Sequence, residues 1–247
     1  RDVLDAQGEA VDASAAYCPG ARLFYYRRVD AEPVIPFTET ILFQDERILV
    51  ADKPHFLPMS PVGTYARETL LARLKRRAGI DTLAPMHRLD RETAGVVAFT
   101  IEPALRGIYQ RLFADARVTK TYEAIAPHRP KLALPIVARH RLVPDTHFMR
   151  MRVAEGEPNA TTLVERLEVR GALARHRLTP RTGKKHQLRV QMAALGLPIV
   201  GDAIYPVFRD APDFASPLQL IARRLAFRDP VDGRSREFES ARTFPDA

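Results

Sequence analysis

The sequence has 247 residues, of which 46% are hydrophobic and 28% are charged, and this composition excludes a disordered or fibrous chain. It holds 38 Lys and Arg against 30 Asp and Glu, a formal net charge of +8. A balance this basic favours polyanionic partners such as nucleic acids, although a preference for arginine codons would explain the excess of Arg over Lys equally well.

The cysteine count and the apolar stretches exclude further classes of protein. Cys18 is the only cysteine, so neither an intrachain disulfide nor a cysteine-based zinc site can form. The purely apolar stretches are only a few residues long, and no secretion signal is recognisable after Arg1. We therefore expect a cytoplasmic protein without a membrane span.

The first 35 residues differ in pattern from the rest of the chain. Two short strand-like pieces, at Val3–Leu4 and at 23–26, are separated by glycine and proline. Residues 32–36 are typical of an extended linker, because each proline biases the residue before it away from the helical region. We therefore predict an N-terminal extension over 1–35 and a main domain over 36–247.

From Ile48 onward, the pattern indicates strands mixed with helices. The apolar run 48–51 predicts a buried strand, and residues 66–78 predict a helix with its leucines on one face. Residues 95–101 are strand-like. Pro103 then suits the first turn of a helix that carries apolar residues at spacings of three and four.

The second half of the chain adds three strands and one helix. The strands are predicted over 119–126, 160–169 and 173–179. Gly183 is predicted to open a helix that Gly196 ends, and on this helix His186 and Arg189 would share a face. Because strands and helices do not alternate regularly, the pattern favours an α+β fold over a doubly wound sheet.

Several catalytic signatures are absent from the sequence. It contains no P-loop, no glycine-rich dinucleotide fingerprint, no nucleophile elbow and no zinc-protease helix motif. The seven His are scattered, without a pair at metal-ligand spacing beside a carboxylate. The sequence therefore predicts no nucleotide cofactor and no metal site.

The densest polar segment is Met86-His87-Arg88-Leu89-Asp90-Arg91-Glu92-Thr93-Ala94-Gly95, which runs straight into an apolar stretch. A polar loop at the start of a buried strand puts charge at the rim of the core, where functional residues concentrate. The alternative is an ordinary surface turn with salt bridges, which contribute little stability.

A second basic segment is Thr182-Gly183-Lys184-Lys185-His186-Gln187-Leu188-Arg189. Glycine at a strand-to-helix turn allows the backbone to approach a ligand, and the N-terminus of a helix attracts anions. The alternative is a solvated helix start that binds nothing.

Together these two segments resemble the signature of RluA-type pseudouridine synthases. The motif His87-Arg88-Leu89-Asp90 is similar to that family's catalytic motif, and Thr182 to Arg189 is similar to its third motif, followed by Gly201-Asp202 and Tyr205. Lys120-Thr121-Tyr122 is similar to its tyrosine motif, and Lys53-Pro54 to its opening turn. The four motifs occur in the family's order between residues 41 and 240, which chance does not produce.

The resemblance implies an α+β pseudouridine synthase fold, with a bent, mostly antiparallel mixed sheet, flanking helices and a central basic cleft. Asp90 would be the catalytic carboxylate, acting on the ribose so that the glycosidic bond to N1 breaks and the uracil is rejoined through C5. Arg189 would lie beside Asp90 and favour its ionised form. Tyr122 would stack on the target uracil and assist proton removal at C5.

The resemblance also implies how RNA is held. Arg88 would fill the gap left when the target nucleotide turns out of the stack. The remaining RNA contacts are expected from His87, Lys184, Lys185, His186 and Gln187. No cofactor is implied, the protein is expected to be a monomer, and its partner is structured RNA, with 23S rRNA the first choice and tRNA the second.

Two readings from other classes remain open. A catalytically silent RNA-binding or ribosome-assembly factor could keep the same fold, but a complete set of Asp90, Tyr122 and Arg189 argues against it. A hydrolytic N-glycosidase would release free uracil instead of retaining the base.

Residues 1–30 resemble the end of an S4-like RNA-binding module, and the alternative is an irregular extension packed on the catalytic domain.

Overall fold

The computed structural model describes residues 3–25, 32–209 and 214–244. Three α-helices occur in these residues: α1 (Leu70–Ala78), α2 (Arg106–Ala114) and α3 (Gln187–Ala194). The strands in the same residues are β1 (Val3–Leu4), β2 (Phe24–Tyr25), β3 (Thr40–Gln44), β4 (Ile48–Lys53), β5 (Ala84–Pro85), β6 (Ala94–Thr100), β7 (Val118–Pro127), β8 (Ile136–Pro144), β9 (Met151–Ala154), β10 (Ala160–Arg170), β11 (Leu173–Pro180), β12 (Leu220–Arg228) and β13 (Ser235–Glu239).

Most strands join one 11-stranded sheet, and β1 and β2 form a separate antiparallel pair. The order along the large sheet is β3-β4-β6-β12-β7-β11-β10-β8-β9, with β13 beside β12 and β5 beside β6. All its pairings are antiparallel except that between β6 and β12. The mixed, mostly antiparallel sheet with few helices confirms the predicted α+β class.

The β4–β6 half of the sheet is buried on both faces, which explains its continuous apolar runs. Leu70 and Leu74 of α1 belong to the core cluster on one face, with alternate residues of β4 and β6. Tyr109 and Leu112 of α2 belong to the cluster formed by the other set of alternate residues. Each helix therefore covers one face of this half.

The β7–β11–β10 half has alternating burial, as expected of a sheet with one packed face. Leu188 and Met192 of α3 share a core cluster with Ala124, Val164 and Leu178 from these strands. The polar segment that leads into α3 is thereby held against the packed face.

The two halves meet where β6 runs beside β12, and a glycine makes this contact possible. Gly95 has φ +114, and a Cβ on it would lie 2.2 Å from the carbonyl oxygen of Ala222. Only glycine accepts both the positive φ and the close approach. Gly95 therefore fixes the position of the loop that precedes β6, including Asp90.

Two predicted helix starts were wrong. The helix predicted over 66–78 begins at Leu70, because the carboxylate of Glu32 accepts the backbone N–H groups of residues 66–68 and Thr69 caps the helix. The helix predicted from Gly183 begins at Gln187, because His186 has a left-handed φ of +54. His186 therefore precedes the helix and does not lie on its face.

The helix predicted from Pro103 begins there as a short 3-10 helix (Pro103–Leu105), which continues into α2 at Arg106. The other predicted elements match to within one or two residues, but several strands were not predicted: β3, β5, β8, β9, β12 and β13. The predicted strand at 23–26 extends to Tyr26, which lies outside the described residues. Residues 32–36 have no regular secondary structure, and Ile35 is buried in the same core cluster as the leucines of α1. No helix in the described ranges is long and apolar enough to cross a membrane.

Candidate active site

A cleft of about 830 Å³ opens between the loop after β5, strand β7 and the segment that leads into α3. All nine residues singled out in the sequence line it. They are Asp90, Tyr122, Arg189, His87, Arg88, Lys184, Lys185, His186 and Gln187. The fold thus brings together residues that lie in three distant parts of the sequence.

Asp90 lies in the loop between β5 and β6, with 27% of its side chain exposed. Among the described residues, its carboxylate lies 3.6 Å from Nη1 of Arg189 and 3.9 Å from Nε2 of His186. Both distances are longer than a hydrogen bond. Its oxygens are therefore positioned near positive charge and remain available to a substrate.

A buried lysine holds the loop that carries Asp90. Lys53 is fully buried, and its Nζ donates to the carbonyl oxygen of Arg91 and to two carbonyl oxygens in the turn after β4, each at 2.9 Å. Burial lowers the pKa of Lys53 to about 7, while the charges of Glu92 and Asp90 act in the opposite direction. Three carbonyl acceptors match the three donors of an ammonium group, so this geometry favours the charged form.

Arg189 is held in place by the buried carboxylate of Asp202. Its Nε and Nη2 donate to both oxygens of Asp202 at 2.9 and 2.7 Å, and both side chains are 1% exposed. Asp202 also accepts the backbone N–H groups of Ile204 and Tyr205. The bidentate pair fixes the plane of the guanidinium and directs Nη1 toward Asp90.

Three carboxylates surround this guanidinium, since Glu92 lies 3.4 Å from Nη1 in addition to Asp90 and Asp202. Burial alone would lower the pKa of Arg189, but the hydrogen bonds and charge of Asp202, with the charges of Asp90 and Glu92, raise it above the usual value. Arg189 is therefore a permanent, immobile cation in the floor of the cleft.

Tyr122 lies on β7, where it pairs with Ala222 of β12 and Leu178 of β11. It is partly buried and packs against the core clusters on both sides of the seam between the two halves. Burial, reinforced by the charge of Asp90, raises the pKa of its hydroxyl. The side chain therefore presents a neutral phenol to the cleft.

The two histidines of the cleft are neutral for the same reason. Nε2 of His87 accepts the backbone N–H of Ala98 at 3.2 Å, and the ring stacks on Phe113. Burial, helped by the charge of Lys120, lowers the pKa of His87 to about 3. Burial also lowers the pKa of His186, whose Nδ1 lies 3.0 Å from the hydroxyl of Tyr205.

Gln187 is 4% exposed, and its amide is fully used within the protein. Its carbonyl oxygen accepts from the hydroxyl of Thr182 and from the N–H of Lys184, while its nitrogen donates to Thr161 and Thr162. These bonds fix the turn that presents Lys184 and Lys185. Gln187 can therefore act on a ligand through this turn.

The rim of the cleft is basic and open. Arg88, Lys184 and Lys185 are exposed, whereas Lys120 is partly buried and donates to the carbonyl oxygen of Thr182 at 3.4 Å. Exposed cations beside a cleft attract and orient a polyanion. Within the described residues, no group of three or more potential ligands could hold a metal ion.

Comparison with known proteins agrees with this arrangement. A family model described as RNA pseudouridylate synthase matches residues 47–194. The dual-specificity RNA pseudouridine synthase RluA of Salmonella typhimurium is 32% identical over 205 residues, which cover 81% of this chain and 91% of that protein. The enzyme of the same name from Haemophilus influenzae is 29% identical, over 86% of this chain and 96% of that protein. The chain belongs to the RNA pseudouridylate synthase family.

Solved structures show that this pseudouridine synthase also shares the family fold. The structure of human RNA pseudouridylate synthase domain containing 1 matches with a TM-score of 0.69 and 25% identity, over 87% of this chain and 86% of that one. Human RNA pseudouridylate synthase domain containing 4 matches with a TM-score of 0.63 and 28% identity, over 83% and 88%. The RluA-type resemblance in the sequence is thus confirmed, and the chain is an isomerase that acts on RNA.

Several residues of the pseudouridine synthase cleft received no role from the sequence. Asp202 and Lys53 lie in recognised motifs, but a motif does not say which side chain a carboxylate or an ammonium contacts. Glu92 was seen only as part of a charged run. Lys120 could have been found, because residues two apart on a strand share a face and Lys120 therefore points to the same side as Tyr122.

Proposed function

We propose that Asp90 is the catalytic carboxylate of this RNA pseudouridine synthase. The observation that supports the proposal is the meeting of Asp90, Tyr122 and Arg189 in one basic cleft. Of the three carboxylates near Arg189, Asp202 is buried beneath it and Glu92 is 18% exposed, against 27% for Asp90. Asp90 is therefore the acid best placed to reach the sugar of a bound nucleotide.

The proposed reaction exchanges one bond of the target uridine for another. Asp90 acts on the ribose either at C1′ as a nucleophile or at C2′ as a base, and the bond between C1′ and N1 breaks. The freed uracil turns and C5 bonds to C1′, while the Asp90–C1′ bond of the first route breaks or the proton that Asp90 took from C2′ in the second route returns to C2′. The proton lost from C5 is balanced by one gained at N1. Atoms and electrons balance within the nucleotide, so the scheme needs no added reagent.

Arg189 and Tyr122 have supporting roles in this proposal. Arg189 places a fixed positive charge beside Asp90, since Nη1 lies 3.6 Å from its carboxylate and the guanidinium is itself held by Asp202. Tyr122 stacks on the uracil. Because burial raises its pKa, the phenol stays protonated and is able to donate a hydrogen bond to the uracil, and we propose Asp90 or water as the acceptor for the C5 proton.

The other cleft residues bind and position the RNA. We propose that Arg88 occupies the gap left by the extruded nucleotide and that Lys184 and Lys185 contact phosphates, since all three are exposed at the rim. His186 contacts the nucleotide near Asp90. His87 and Gln187 contribute to RNA binding mainly by holding the loops on which these residues lie.

The substrate is proposed to be structured RNA, with 23S rRNA first and tRNA second. The names of both RluA relatives described above state a dual specificity, so the test has to cover more than one kind of RNA. Carbodiimide mapping of pseudouridine in total RNA, from cells with and without the gene, identifies the modified position. A signal lost from tRNA alone would contradict the first choice.

We also propose a cytoplasmic monomer in which residues 36–247 form the catalytic domain and 1–35 an N-terminal extension that assists RNA binding. Glu32 and Ile35 contact the catalytic domain, so a chain starting at residue 32 keeps both contacts. If this shorter chain has the same free energy of unfolding as the full chain but a lower affinity for RNA, the domain assignment is supported. Light scattering measures the oligomeric state, and cell fractionation the location.

Asp90→Asn tests the central assignment. The amide keeps the size of the side chain but cannot attack or accept a proton, so we expect loss of pseudouridine formation with RNA affinity largely kept. The matched control is Glu92→Gln, a neighbour in the same loop, which should keep measurable activity. Isomerisation by Asp90→Asn at the wild-type rate would refute the role of Asp90. Wild-type protein that binds RNA but forms no pseudouridine would favour a silent binding factor. Release of free uracil by the wild type would favour an N-glycosidase.

A further inference from the structure

The hairpin between β8 and β9 carries an aromatic side chain that the cleft does not use. Its tip, residues 145–150, joins the two strands and is closed by backbone hydrogen bonds between Asp145 and Arg150 and between Arg150 and His147. Phe148 at this tip is 83% exposed. An aromatic ring whose face is open to solvent can stack on another planar group.

Phe148 is supported from behind by other rings. His147 stacks on Phe148 with ring centroids 5.3 Å apart and an interplanar angle of 20°, and its centroid also lies 4.3 Å from that of the tilted ring of Phe208. His147 and Phe148 thus form a stacked pair supported by Phe208, and the high exposure of Phe148 leaves its ring accessible. An added planar group would therefore extend an existing stack without reorganising the tip.

The tip is fixed to the wall of the cleft. Nζ of Lys185 donates to the carbonyl oxygen of Phe148 at 3.2 Å. Arg150 donates to the carbonyl oxygen of Pro206 and lies over the ring of Tyr205, whose hydroxyl accepts the N–H of Met151. Tyr205 in turn contacts His186 inside the cleft. The exposed ring is thus continuous with the site where the target nucleotide would lie.

The charges around the tip favour a nucleic acid as its occupant. Lys184, Lys185 and Arg152 are exposed cations, and Asp145, 3.5 Å from Arg150, is a nearby acid. Phe148 and the smaller exposed part of Met149 form a patch far below the roughly 800 Å² per partner of a stable protein interface. A nucleobase needs only one ring face, and its phosphates match the cations.

We propose that Phe148 is a stacking platform for an unpaired base of the same RNA, outside the target pocket and next to the extruded uridine. The proposal rests on the proposed function, because it takes the RNA in the cleft as given. A base held on Phe148 would keep the neighbouring backbone splayed while the target nucleotide occupies the cleft. The tip would then favour RNA loops over fully paired helices.

The test uses an RNA stem–loop whose loop carries one uridine, with 2-aminopurine placed at each other loop position in turn. Stacking quenches 2-aminopurine fluorescence, so wild-type protein and Asp90→Asn should both quench it at one loop position. Phe148→Ala should lose this quenching and raise the Kd on the order of tenfold. Its salt dependence should be unchanged, because no phosphate contact is removed.

Two further variants separate stacking from apolar contact. Phe148→Trp should bind as the wild type does, whereas Phe148→Leu, which keeps apolar area but has no ring, should resemble Phe148→Ala. Equal RNA affinity and equal quenching in wild type and Phe148→Ala would overturn the proposal. If the variant then changed only self-association, measured by light scattering, Phe148 would contact a second protein molecule instead of RNA. Wild-type pseudouridine formation is assayed in the same samples, so failure of the platform with isomerisation intact is distinguishable from failure of the proposed function.

Discussion

Among the residues that the structure describes, Arg189 and Arg224 are each held by both oxygens of one carboxylate, and the two pairs differ chiefly in burial. Arg189 and Asp202 are 1% exposed beneath the cleft, whereas Arg224 and Glu237 on the paired strands β12 and β13 are 37% and 54% exposed. The surface pair is screened by water, while either buried partner would be an uncompensated charge without the other. The same bidentate contact is thus dispensable at the surface and required in the floor of the cleft.

Asp202→Asn and Glu237→Gln test most directly whether burial sets the importance of each ion pair. Loss of one partner from a buried ion pair costs about 3–5 kcal/mol, and we expect the lower end for Asp202→Asn because Glu92 and Asp90 still face Arg189. Glu237→Gln should cost less than about 1 kcal/mol. Urea unfolding of the two variants measures both values, and equal losses would contradict the effect of burial.

Burial also predicts a pH dependence of stability through His87. Its folded pKa of about 3 lies below the ordinary value of 6.5, so the unfolded chain takes up the proton first as the pH falls. The stability from the neutral ring is fully present above pH 6.5 and is lost toward pH 3, at about 1.4 kcal/mol per pH unit. His55 adds to this acid loss, because burial lowers its pKa to about 4.

His87→Asn isolates the contribution of His87 to this pH dependence, because an amide oxygen can still accept the N–H of Ala98 but does not titrate in this range. The free energy of unfolding of this variant should fall less steeply below pH 6.5 than that of the wild type. Identical slopes would show that His87 is not the group that binds the proton.

The rim supplies the smallest expected effect on stability. Lys184 is exposed, so Lys184→Ala should leave the free energy of unfolding unchanged to within about 0.5 kcal/mol. If Lys184 contacts one phosphate, the slope of log affinity against log salt should fall by about 1.

Arg88→Ala should act on the rate instead. We expect it to slow single-turnover pseudouridine formation more on structured than on unstructured RNA, and equal losses on both would remove its role in extrusion.

The sequence was most informative where function depends on short motifs. Residues 87–90 and 182–189 carry their chemistry within a few positions, so a single chain suffices to find Asp90 and Arg189. It was less informative where a contact crosses the fold. Asp202 follows Arg189 by 13 positions, beyond a helix end and a turn, and nothing local indicates that the carboxylate returns beneath the guanidinium.

Local patterns also misplaced or missed elements that tertiary contacts decide. The start of α3 depends on the left-handed His186 and on the amide bonds of Gln187, neither of which is visible in helix propensity. Strands β8 and β12 contain several arginines among their apolar residues, which obscures the alternation that marks a half-buried strand.

The place of β12 in the sheet has a consequence for when the enzyme can become active. This strand lies between β6 and β7, yet it follows β7 by more than 90 residues in the chain. During synthesis, the gap between two early strands stays open until Arg228 has left the ribosome, and such distant pairing is slow to form. Asp90 and Tyr122, on either side of that gap, then acquire their common geometry only in the last stage of folding, so we expect a nascent or truncated chain to lack the proposed catalytic centre.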